Sequence, residues 1–200
     1  MIAPNKPKIL PPQGTFPARL YKIIYIGTVK GEWKGKPTEN YQVSITWELP
    51  TKTHVFKEGE EAKPFSMSKT LTLSMGAKSS LRPIVESMLE VSFTDKEAKG
   101  YDIDELLGMA CLLGIAYEED ANGKKAVIKS FSQLPEGMVC PPAVNPAKIL
   151  SYQNFDKEYF LTLPDWIKEK MEKTPEFAKM TGKAVPTAES SDIDASDVPF

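Results

Sequence analysis

YQVSITWEL, at residues 41–49, alternates without a break. Tyr41, Val43, Ile45, Trp47 and Leu49 fall on one side; Gln42, Ser44, Thr46 and Glu48 fall on the other. A period of two over nine residues predicts a strand. FSMSKTLTL, at residues 65–73, repeats the pattern, with Phe65, Met67, Lys69, Leu71 and Leu73 set against Ser66, Ser68, Thr70 and Thr72. The two segments are joined through a charged interval at 50–63. They predict neighbouring strands with one face packed on a core and the other solvated.

Downstream the period changes. Leu81, Ile84, Val85, Met88 and Leu89 mark one face of a helix, with Ser79 or Ser80 to cap it and Pro83 in its first turn. DIDELL at 102–107 predicts a short helical turn ended by Gly108. MACLLGIAY (109–117) and KKAVIKSFS (124–132) then read as two strands joined by a tight turn at Asn122-Gly123. Upstream, TFPARLYKIIYIGTV (15–29) is β-branched and aromatic and predicts a strand, whereas KGEWKGKPTEN (30–40) reads as a loop.

Three strands, a helix and two strands is the order of an OB fold. The expectation is therefore a mainly β protein, a five-stranded OB-type barrel at residues 14–135 with a helix between strands three and four. An SH3-like barrel or a small sandwich has a similar strand count. Around this unit, residues 1–13 hold four prolines and predict an extended arm. Residues 136–181 predict an extension docked on the barrel surface or on a second subunit. It contains a Pro-rich stretch and a helix at LPDWIKEKME (163–172). Residues 182–200 lack apolar periodicity and predict a disordered tail.

With 41% hydrophobic and 26% charged residues in a 200-residue chain, the composition is that of a globular protein with one domain and appendages. No apolar run approaches a membrane span, and the first residues lack the apolar segment of a secretory signal. Cys111 and Cys140 form no CxxC pair. Cys111 lies in an apolar run that predicts a buried free thiol, and a reducing, cytoplasmic compartment is expected. The net charge is −2, but it is polarised. Bases outnumber acids in residues 1–90, whereas Glu189, Asp192, Asp194 and Asp197 stand in the last fourteen residues with no base.

OB barrels bind oligonucleotides on strands two and three and on the loops joining strands one to two and four to five. In the first of these loops stand Lys30, Trp33, Lys34 and Lys36, with Gly31 and Gly35 between them. Lysines neutralise phosphates and a Trp ring stacks on any base. The loop is not a phosphate-binding Walker loop, because three residues separate its glycines and Pro37 stands where Ser or Thr is required. On strand one, Arg19, Tyr21, Ile23 and Tyr25 alternate with Leu20, Lys22, Ile24 and Ile26. Arg19, Tyr21 and Tyr25 could form a stacking and phosphate strip, or the tyrosines could pack with their hydroxyls at the rim. Lys52, Lys57, Lys63, Lys69, Lys124 and Lys125, with His54 and Phe56, complete the basic set. The expected DNA contacts are thus stacking by Tyr21, Tyr25, Trp33 and Phe56. Arg19, Lys30, Lys34, Lys36, Lys57, Lys69, Lys124 and Lys125 would neutralise phosphates.

The chain ends Asp192-Ile193-Asp194-Ala195-Ser196-Asp197-Val198-Pro199-Phe200. An acidic run tipped by Phe suits a partner with an apolar pocket and a basic rim. Asp192, Asp194, Asp197, Val198, Pro199 and Phe200 are its candidate contacts. Asp197-Val198-Pro199-Phe200 closely resembles the tail tip of bacterial single-stranded DNA-binding proteins, with Val198 where that family carries Ile. Elsewhere, Gly14-Thr15-Phe16-Pro17-Ala18-Arg19, Trp47-Glu48-Leu49-Pro50 and Leu106-Leu107-Gly108 resemble phage-encoded proteins of the same role. The resemblance implies single-stranded DNA bound by an OB domain, in phage replication or recombination, with the tail recruiting replication, recombination or repair proteins. It does not carry over a tetramer, and a homodimer remains open.

No catalytic constellation is visible. His54 is the only histidine, and HExxH, CxxC and GxSxG are absent. Glu118, Glu119 and Asp120 abut the Asn122-Gly123 turn and read as solvated hairpin charges. Asp102, Asp104 and Glu105 read as cap and first-turn acids. The expectation is a non-enzyme without cofactor or metal. Its rival is an OB-like protein–protein interaction module without a DNA role.

Overall fold

The computed structural model describes residues 9–121 and 123–182, apart from the side chain of Trp33. Most of the expected N-terminal arm, Asn122 and the acidic tail, including Asp192, Asp194, Asp197, Val198, Pro199 and Phe200, lie outside the described residues.

The protein is mainly β. β1 (Gly14–Trp33), β2 (Lys36–His54), β3 (Lys63–Thr72), β4 (Ala110–Asp120) and β5 (Gly123–Ser132) form antiparallel pairs in the order β3-β2-β1-β4-β5. A short β6 (Lys148–Leu150) runs parallel to β1. The sheet is open: β3 and β5 end the path, with no ladder between them among the described residues. The helices are short: α1 (Leu81–Leu89), α2 (Asp95–Gly100), α3 (Lys157–Leu161), α4 (Asp165–Glu172) and α5 (Pro175–Thr181), with a 3-10 turn at Ile103–Leu106. α1 stands between β3 and β4 in the chain and packs against β5. Ser79 Oγ accepts a hydrogen bond from the Arg82 amide at its start, 3.2 Å. The expected elements are present; α2, α3, α5 and β6 are additional.

The first correction concerns residues 30–40. They are strand, not loop: β1 and β2 stay paired out to Trp33–Lys36. Lys34 and Gly35 form the two-residue tip, at φ 52° and 75°. Two left-handed residues in succession match the right-handed strand twist, which is why such a tip closes a hairpin arm.

The second correction concerns the faces of β1. Bulges interrupt its pairing between Leu20 and Lys22 and between Tyr25 and Gly27. An extra residue shifts the alternation by one. Leu20 and Ile23 therefore both enter the main core, with Val43, Ile45, Trp47, Leu49, Met67, Leu81, Val85 and Leu113. Ile24 and Ile26 face the other way, into a second core with Leu150, Phe160, Leu163, Ile167, Met171 and Phe177.

That second core overturns the one-sided sheet as well. β2 is buried on both faces between Val43 and Leu49, and Ser44, Thr46 and Glu48 are at most 2% exposed. Glu48 accepts hydrogen bonds from the Val144 amide (2.7 Å) and from the backbone and side chain of Asn145 (2.9 and 2.5 Å). The Pro-rich segment thus crosses the back of the sheet as a strap, and α3–α5 follow it.

Candidate nucleic-acid interface

The expected contacts divide into three places. At the β1–β2 tip, Lys30, Lys34 and Lys36 are exposed on a strand arm, with Lys30 opposite Glu39 in the register and Trp33 opposite Lys36. The far end of the molecule holds the loop after β2 and the β4–β5 hairpin, because β4 runs back along the start of β1, Gly14 opposite Ile115. Lys57 and Lys63 share Glu60 there (3.4 and 2.8 Å), Lys125 pairs with Asp120 (2.7 Å) and Lys129 pairs with Glu118. Lys124 lies over the Tyr117 ring and Lys52 over that of Phe16. Phe56 is exposed and meets His54 and Phe65 edge-on, at 5.4 and 5.3 Å between ring centres, while His54 and Phe65 are tilted at 5.9 Å. Lys69 stands opposite Ile45, on the core side of β3.

Strand one supplies the third place, and its residues are used differently from one another. Arg19 donates from all three guanidinium nitrogens to carbonyls, to Pro141 (3.0 Å), Gly108 (2.7 Å) and Cys140 (2.7 Å). It anchors the strap. Tyr25 donates to Asp104 Oδ1 at 2.7 Å. Burial, and then that acceptor, hold its phenol far above its ordinary range. Its ring borders a cavity of about 550 Å³ with Leu73, Met75, Tyr101, Asp95 and Asp102. The carboxylates there do not favour a phosphate.

Tyr21 faces the strap side instead. Its hydroxyl lies 3.3 Å from Ser66 Oγ, and burial raises its pKa. Beside it stands Lys22, which the sequence placed among aliphatics. Its ammonium lies 5.5 Å from the Tyr21 ring centre, and burial lowers its pKa. The bulge turns Lys22 onto the face shared with Thr46 and Ser68, whose hydroxyls bond at 3.0 Å. Beyond them Ser66 and Ser68 are exposed on β3, so a polar hydroxyl edge adjoins Tyr21 and Lys22. The aliphatic company of Lys22 was the one signal of this place in the sequence.

The chain matches no protein-family model and no curated protein. Among the described residues, no cluster of His, Cys, Asp and Glu could hold a metal ion, and no helix is long and apolar enough to cross a membrane.

Proposed function

We propose that this chain is a sequence-tolerant single-stranded DNA-binding protein, phage-encoded as its resemblances imply. Its sheet is an OB-type barrel drawn open between β3 and β5, and its acidic tail recruits replication or recombination proteins. The observation that carries the proposal is the strand order β3-β2-β1-β4-β5 with α1 between β3 and β4. Joining β3 to β5 would complete the OB circuit. The lysine-bearing arm between the first two strands supports it, since that connection helps an OB barrel hold oligonucleotides.

One observation favours the rival, an interaction module. Lys57, Lys63, Lys125 and Lys129 each have a nearby carboxylate. Exposed pairs of this kind are weak and do not prevent exchange for phosphate, but they dilute the positive potential.

Anisotropy of a labelled poly-dT oligonucleotide separates the two. Full-length protein should bind, with log affinity falling by about 0.7 per phosphate neutralised as log salt rises. A chain ending at Val185 should bind more tightly at low salt, because four acids that compete with phosphate are gone, and should lose partner capture. No binding by either chain at low salt would leave the interaction module standing.

A further inference from the structure

β6 lies parallel to β1 with Lys148 in register with Lys22. Both line a groove of about 490 Å³, together with the rings of Tyr21 and Tyr159 and with Asn145. Lys148 is neutralised by Asp156 at 2.7 Å and lies 4.9 Å from the Tyr159 ring centre. Lys22 is half-buried and has no acidic partner among the described residues. A half-buried ammonium without a carboxylate partner costs stability, because desolvation penalises the charged form. An aliphatic residue would fit the pattern of Ile24 and Ile26 next to it. The charge has a use if an anion enters.

We propose that this groove is a nucleotide subsite, in which Lys22, with Lys148 beside it, receives a backbone phosphate of single-stranded DNA and the rings of Tyr21 and Tyr159 flank the adjoining base. The subsite rests on the DNA-binding function proposed above and gives it a location that composition does not reveal. Tyr21, in the groove's wall, places its hydroxyl 3.3 Å from Ser66 Oγ, and Ser66 and Ser68 are exposed on β3, so polar hydroxyls adjoin the groove. It is built jointly by the sheet and the C-terminal extension, since Asn145, Lys148 and Tyr159 lie beyond β5.

The test uses the full chain and two readouts. The first is acylation of each lysine, mapped by mass spectrometry, with and without saturating poly-dT. The second is oligonucleotide affinity of Lys22→Met against salt, with a thermal melt of the same variant. The subsite requires that poly-dT slow acylation of Lys22 by about fivefold or more. Lys22→Met must weaken binding and lower the salt slope by about 0.7, the share of one phosphate, while melting no earlier than the parent. Undiminished acylation of Lys22, or an unchanged slope in Lys22→Met, while the parent binds poly-dT would overturn the subsite and leave DNA binding intact. No binding by the parent would remove both. Protection of Lys22 by inorganic phosphate alone at matched concentration, or by an acidic peptide but not by poly-dT, would overturn the nucleotide assignment.

Discussion

Glu48 shows how little a residue's place in an alternating pattern says about its burial. It reads as a solvent-facing polar residue, yet it is fully buried and receives three N–H groups from the strap. Charge-assisted hydrogen bonds are the stronger kind, and a donor left buried without an acceptor costs its full desolvation. Glu48→Gln should therefore cost about 2–3 kcal/mol in urea denaturation. Amide exchange at Val144 and Asn145 should accelerate more than in the main core; equal protection there would show that Glu48 does not hold the strap. Lys22 yields a prediction of opposite sign. The titratable groups lining its groove are Lys148, which is paired with Asp156, and the phenols of Tyr21 and Tyr159. Its folded-state pKa is lowered, so between that value and the unfolded one the unfolded chain binds more protons, and stability rises with pH. DNA affinity moves the other way, since Lys22 loses its charge before exposed lysines do. Lys22→Met should flatten both profiles at alkaline pH, read by melts and by anisotropy.

At the scale of elements, the proposed DNA path takes its exposed lysines Lys30, Lys34 and Lys36 from the arm. Replacing Lys30, Lys34 and Lys36 by Ala should lower the salt slope by up to about 2. The hairpin's circular dichroism should be unchanged, because these side chains are exposed and Gly35, which completes the left-handed tip, is kept. A slope equal to the parent's would take the arm out of the interface. Much of this scale was legible in the sequence. β2, β3, β4, β5 and α1 follow period two or period 3.6 because each packs one side chain set on the main core. The arm was not, because Gly, Lys and Pro mark loops by composition while hairpin pairing depends on partners such as Asn40 for Val29 and Glu39 for Lys30, further along the chain. The bulges in β1 were hinted at by Lys22 among aliphatics, but a misfit shows that an alternation fails, not where. α3 and α5, of five and seven residues, are too short to display a helical period.

For the whole molecule, the consequence is that residues 14–135 share a core with the extension. The second core joins β1 to α3, α4 and α5, and Glu176 bonds both the amide and hydroxyl of Thr28 at 2.9 and 2.5 Å. Gly27, at φ 103°, is fitted under α5: a Cβ there would lie 2.8 Å from Glu176 Oε2. Gly27→Ala should cost about 1–3 kcal/mol in thermal or urea unfolding, through backbone strain and this clash together. A chain ending at residue 135 should expose Ile24 and Ile26, lose its cooperative melt and aggregate; a soluble, cooperative fragment would show that the extension is an accessory.

The parallel pairing of β6 with β1 also has a consequence during synthesis. The edge of β1 at Lys22–Ile24 waits for residues 148–150, which leave the ribosome after β5 is complete. At about 5–20 residues per second, the eighteen or so residues between them take roughly one to four seconds. For that interval the nascent chain carries an open strand edge beside two isoleucines, and it is then that a chaperone, or a neighbouring nascent copy, has its opportunity to bind.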